Sequence, residues 1–199
     1  DGSVSYFAYP SIPKKLYEFN SDAKIIVIVR DPVLRAFSHY NMDKRMGYVT
    51  EPFSEYLMNK DNKYDKYLHQ YIENSLYYKH VNNYLEYFDK NQVFVLQLEN
   101  INDDFDRLCK FLDIEKLELK SDNERINANK IPTNIISRTL QHNRYLATIL
   151  KKIIPRKIVR SFNFLLYKKA EKVQLKESEK LLLEQYLNDD FLKLKKEIL

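Results

Sequence analysis

The segment from Lys24 to Tyr40, KIIVIVRDPVLRAFSHY, constrains the fold more than any other stretch of the chain. Ile25 to Val29 is β-branched and continuously apolar, which predicts a strand buried on both faces of a parallel sheet. Arg30 separates that run from Asp31 and Pro32. Aspartate is a good N-cap and proline a good first helical residue, so a helix is predicted from Pro32 to about Met46. A strand that passes directly into a helix is the opening of a crossover to a parallel neighbour, and the fold class is read as α/β.

The flanking sequence fits that class. Ser11 to Phe19 reads as a short helix with Ile12, Leu16 and Phe19 on one face, ended by Asn20-Ser21-Asp22. From Thr50 to Asn74 the chain is polar, tyrosine-rich and weakly periodic, which predicts short helices in a long surface excursion. Ser75 is placed as the cap of a helix whose apolar stripe is Leu76, Val81, Leu85 and Phe88. Val93 to Leu98 is a second buried strand, followed by a short helix carrying Phe105, Leu108, Cys109, Phe111 and Leu112. Beyond Ile114 no strand is predicted: a polar loop runs from Ser121 to Thr133, an amphipathic helix from Asn134 to Lys152, and a charged helix or helix pair from Leu175 to Ile198. Two strands are too few for a stable sheet, so the chain reads as the later part of a larger α/β domain. The division expected is one domain over 1–199, with an α/β core over 1–114 and a mostly helical part over 115–199.

Composition narrows the chemistry. No run approaches the roughly 18 apolar residues of a membrane-spanning helix. A net charge of +5 favours an anionic partner. Neither glycine, Gly2 or Gly47, belongs to a G-x-x-x-x-G-K-[ST] phosphate loop. His39, His69, His80 and His142 share no metal-ligand spacing with one another or with Cys109, so no metal is expected. A lone cysteine cannot form an internal disulfide, which favours a reducing, cytoplasmic compartment.

Ligands of open parallel sheets bind beyond the carboxyl ends of the strands, where helix N-termini present unpaired N–H groups. Arg30 stands at that end, and Ser38 lies on the following helix three residues past Arg35. A guanidinium fork and a hydroxyl there suit a phosphate monoester. Arg35 itself reads as an ion-pairing or packing residue, and His39 as a helical surface histidine.

The run from Arg30 to Tyr40 resembles the 3′-phosphate-binding motif of the sulfotransferases that use 3′-phosphoadenosine 5′-phosphosulfate, PAPS. Ser3-Val4-Ser5-Tyr6-Phe7, Ser75-Leu76-Tyr77 with Tyr84 to Phe88, Val95 to Glu99, Phe111-Leu112-Asp113-Ile114, Ile126 to Asn129 and Ser137-Arg138 also resemble segments of bacterial and heparan-type members, with Asp113 replacing the glycine of an F-L-G-I segment. The resemblance covers nearly the whole chain and is strongest over 1–114. It implies a three-layer, P-loop-NTPase-like parallel sheet flanked by helices. It also implies in-line sulfonate transfer from PAPS to a hydroxyl or amine of a carbohydrate-type acceptor, without a metal. Arg30 and Ser38 would hold the 3′-phosphate, Lys130 would lie against the same phosphate, and Tyr77 would serve in substrate binding. The family's 5′-phosphosulfate loop, P-K-x-G-T-T, is not in this sequence. That loop and the acidic general base of heparan-type members would precede Asp1, so the chain is expected to be N-terminally truncated and the catalytic residues to lie upstream.

Other features carry alternatives. Glu99 reads as a structural carboxylate capping nearby backbone. Tyr64, Tyr67 and Tyr71 favour packing over sugar stacking. The basic segment Lys151 to Lys172, interrupted by Pro155, suits a packing helix or lid, with peripheral contact to an anionic membrane or polyanionic acceptor as the alternative. A non-catalytic nucleotide- or partner-binding remnant is the second function considered. A nucleic-acid module is disfavoured, since no recognised binding motif is present. The Lys-, Asn-, Ile- and Tyr-heavy composition suggests a low-GC bacterial source.

Overall fold

In the computed structural model, β1 (Ile25–Val29) and β2 (Val93–Gln97) pair in parallel, in register from Ile25 opposite Val93 to Val29 opposite Gln97. The structure describes residues 4–59, 64–117, 130–132, 167–169 and 174–199, with backbone alone for 4, 5, 130–132 and 167–169. Before β1 come α1 (Val4–Ala8) and α2 (Ser11–Phe19), and after it α3 (Pro32–Met46), α4 (Phe53–Met58), α5 (Asp65–Tyr71), a 3-10 turn (Glu73–Ser75) and α6 (Tyr77–Leu85). Following β2 are α7 (Ile101–Leu112), the short strands β3 (Lys130–Pro132) and β4 (Tyr167–Lys169), and α8 (Glu177–Glu197). The chain divides into two compact units, one of residues 1–40, 51–120 and 175–199, the other of 41–50 and 121–174.

The first unit is organised around the sheet. Val27, Val29 and Val95 pack with Tyr77 and Val81 of α6 and with Phe191 and Leu194 of α8. Each such aliphatic side chain contributes about 1.5–3 kcal/mol on burial. Phe94 points to the other face, where its ring lies 5.1 Å from that of Phe111 on α7. Ile26 and Ile28 lie on the Phe94 face as well, and remain 40% and 55% exposed. The prediction of a strand buried on both faces is therefore corrected: α7 covers β2 on this side and leaves β1 open.

Other expectations change for similar reasons. The tyrosine-rich stretch is no surface excursion, because Phe53, Tyr56, Leu57, Tyr64, Tyr71 and Ile72 are all buried. Its helices are six and seven residues long, too short to display a period, and each delivers one or two rings to a shared aromatic layer. Tyr40 stacks on Phe53 at 4.6 Å, while Tyr71 meets Phe53 edge-on at 5.5 Å. Ser75 does not cap α6. Its hydroxyl donates to the Tyr71 carbonyl at 2.8 Å, and the α6 amides of Tyr78 and Lys79 donate to the Asp190 carboxylate at 2.8 and 3.0 Å. A capping carboxylate supplied from α8, 112 residues away, has no local sequence signature.

Two helix ends close as Schellman-type turns. After α3, Gly47 takes φ 78°, with its amide donating to Lys44 O and the Tyr48 amide to Asp43 O. After α7, Asp113 takes φ 57°, with the Asp113 amide on Lys110 O and the Ile114 amide on Cys109 O. The second unit corrects the expectation of no strand beyond Ile114, since β3 and β4 pair antiparallel with Lys130 opposite Lys169. The helix predicted over 134–152 and most of the basic segment 151–172 lie outside the described residues.

Candidate functional site

The junction of β1 and α3 is tied down from three directions. The Asp31 carboxylate accepts the Leu34 amide at 2.8 Å, which is the N-cap expected of aspartate before Pro32. The Arg35 amide closes the first helical turn on Asp31 O at 2.9 Å. From the end of β2, Glu99 Oε1 accepts the Asp31 amide at 3.3 Å. Glu99 is thus the structural carboxylate that the sequence suggested.

Arg30 follows the last residue of β1 and is half-buried. Its Nε is buried and has no hydrogen-bond partner. Leaving such a donor unsatisfied costs about 1–3 kcal/mol, and more for a charged group. That arginine stands beside the N-terminus of the 15-residue helix α3, where helix-end amides and its own charge both favour negative charge. Ser38 is exposed on α3, on the stripe that also carries Asp31 and Leu34, while Ala36, Phe37 and Tyr40 face the interior. The structure thus places Arg30 and Ser38 on one strand–helix unit, Arg30 half-buried with a buried Nε and Ser38 exposed.

Tyr77 lies behind the junction, 5% exposed and packed among Val27, Val29 and Phe191. Burial pushes its hydroxyl up to about 12, and the Arg35 charge, the Arg30 backbone and the Arg30 charge pull it part of the way back. Lys130 sits on β3 opposite Lys169, and its side chain is outside the described residues. No group of three or more histidines, cysteines, aspartates or glutamates is arranged to hold a metal among the described residues.

Arg35 is a structural residue, as expected, but its partners were not foreseen. Its Nη1 lies 2.8 Å from Gln70 O, 3.2 Å from Tyr71 O and 3.0 Å from Ser75 Oγ, and its Nη2 is 3.2 Å from His39 Nδ1. His39 in turn meets the Tyr71 ring edge-on at 5.5 Å. These acceptors are main-chain carbonyls and a hydroxyl 35–40 residues away, so a search for an oppositely charged neighbour would have passed them over.

A family model for the sulfotransferase domain matches residues 4–179. Over 98 residues the chain is 28% identical to heparan sulfate glucosamine 3-O-sulfotransferase 5 of Homo sapiens, covering 47% of this chain and 28% of that protein. The Mus musculus protein of the same name is 26% identical over the same length and shares. The crystal structure of a sulfotransferase from Alicyclobacillus acidocaldarius is similar with a TM-score of 0.50 and 30% identity, covering 60% of this chain and 54% of that one. The chain therefore spans little more than half of the bacterial structure and under a third of the mammalian relatives.

Proposed function

This chain belongs to the sulfotransferase domain family, and from that premise we propose that its β1–α3 junction binds the 3′-phosphate of PAPS. The protein would transfer the PAPS sulfonate to a hydroxyl or amine of a carbohydrate-type acceptor. The observation that carries the reading is the half-buried Arg30 at the carboxyl end of a parallel strand, its Nε unpartnered. A bidentate guanidinium supplies the donors that a dianionic phosphate needs, and Ser38 adds a directional hydroxyl. PAPS brings the sulfonate; this chain's part is to bind and orient the nucleotide. Lys130 joins the proposal as a further cation that the family resemblance assigns to the same phosphate. Tyr77 joins as an acceptor-side residue. On this reading the two strands belong to a three-layer, P-loop-NTPase-like sheet, and a reducing compartment such as the cytoplasm suits the buried free thiol of Cys109. The mammalian relatives are named for heparan sulfate glucosamine, the basis for placing the acceptor among carbohydrates.

Calorimetric titration with 3′,5′-adenosine bisphosphate tests the assignment. Arg30→Ala should weaken binding at least tenfold and Ser38→Ala by about fivefold, from the loss of charge-assisted and neutral hydrogen bonds. Binding unchanged in both variants sinks the site. A non-catalytic nucleotide- or partner-binding remnant of the fold is the second reading, since Arg30 and Ser38 would hold a nucleotide without taking part in the chemistry. Nucleotide binding by the full-length gene product without sulfonate transfer from PAPS to any of a panel of glycans would select it.

A further inference from the structure

We propose that Arg35 is a positioning residue for the 3′-phosphate clamp, setting Ser38 in place through its bonds to the Gln70–Ser75 backbone corner. This rests on the reading of Arg30 and Ser38 as that clamp.

The geometry gives Arg35 a hold on the helix that carries Ser38. Gln70 and Tyr71 are the last two residues of α5, whose final carbonyls lack intrahelical partners and carry the negative end of the helix dipole. Arg35 Nη1 reaches both carbonyls together with Ser75 Oγ. Ser75 is fully buried, and its hydroxyl also donates to Tyr71 O, so the acceptor corner is itself rigid. The second arm of the fork is spent on His39 of the same helix. Cross-linked in this way, α3 cannot roll about its axis without breaking several charge-assisted bonds. Ser38 lies between Arg35 and His39 in that helix, so any roll would displace its hydroxyl. A lysine could keep the charge, but its single ammonium cannot bridge the carbonyl corner and His39 together.

The experiment measures affinities for two probes, 3′,5′-adenosine bisphosphate and adenosine 5′-monophosphate, by calorimetry on the unaltered chain and on Arg35→Lys, Arg35→Ala and Ser75→Ala, with thermal melts of each. A positioning role specific to the 3′-phosphate predicts that Arg35→Lys loses about tenfold in bisphosphate affinity and Ser75→Ala about threefold. Affinity for the monophosphate should stay within about twofold in both. Ser75→Ala and Arg35→Lys keep the test decisive if Arg35→Ala does not fold. Bisphosphate affinity unchanged in the folded variants overturns the inference, as does an equal loss for both probes, which is the mark of general loosening. If the unaltered chain shows no preference for the bisphosphate, the reading of the clamp itself fails and the inference with it. A preference that Arg30→Ala abolishes and Arg35→Lys leaves intact defeats the inference alone.

Discussion

Two flanks of α3 behave oppositely. On one, at the turn from β1, Arg30 holds a buried Nε with nothing to bond, and Ser38 is exposed. On the other, the helix meets the aromatic layer of Phe53, Tyr56 and Tyr71, where the polar groups find partners: the Tyr40 hydroxyl donates to Glu51 O, and the Arg35 guanidinium to the Gln70–Ser75 corner. Arg30 and Arg35 are five residues apart on the chain and carry the same charge. The difference lies in what the fold brings to each. A satisfied arginine stabilises the layer it joins, whereas an unsatisfied one is a cost that a ligand can repay.

That contrast can be broken most forcefully from the packed side. Tyr71→Ala removes a fully buried ring that touches Phe53, Tyr56 and Tyr67 and should cost about 3–5 kcal/mol in urea unfolding. Arg30→Ala on the open flank should leave stability within about 1 kcal/mol while weakening the proposed nucleotide binding at least tenfold. Comparable destabilisation by the two variants would erase the distinction.

Tyr77 stands between the flanks. Its folded-state hydroxyl is raised from 10.0 to about 12, so its contribution is fully present below pH 10 and is lost as pH rises through 12. Alkaline unfolding should show about 2–3 kcal/mol lost over that window, and Tyr77→Phe should flatten it. His80 gives a gentler slope at the acid end. It is buried, its Nε2 donates to Glu73 O at 2.7 Å, and its Nδ1 has no partner. Burial lowers its affinity for a proton below the ordinary 6.5. The unfolded chain then binds the proton more readily, and stability present above pH 6.5 declines as pH falls below it. Urea midpoints measured from about pH 7.5 down to pH 5 should show this decline, and His80→Gln should remove it. Asp113→Gly is the smallest change. Relief of a left-handed aspartate at φ 57° should raise stability by about 0.5–1 kcal/mol in the same assay.

The site was more legible than the core. Arg30, the Asp31 cap and the Pro32 start of α3 follow from adjacent residues, and the bounds of β1, α2 and α3 agree with the predicted ones. The short helices of Phe53 to Tyr71 and the packing of Tyr64 and Tyr71 were expected, but the surface position was wrong: helices of six and seven residues show no period, and their burial comes from rings that meet those of α3. Asp190 capping α6 and Glu179 accepting the Ser54 amide at 3.2 Å escaped notice for the same reason. Both carboxylates come from α8, more than a hundred residues along the chain.

What the sequence determined alone is the local mechanics: a β-branched run that must be a strand, a capped turn after it, and an arginine at the one place where a parallel sheet presents its ligands. Backbone dihedral preference and capping act over a few residues and are written there. The tertiary structure decided which of two similar arginines is left open, which face of β1 is covered, and which distant carboxylates finish the helices. Those outcomes depend on partners brought together by packing, whose identity no run of neighbouring residues encodes.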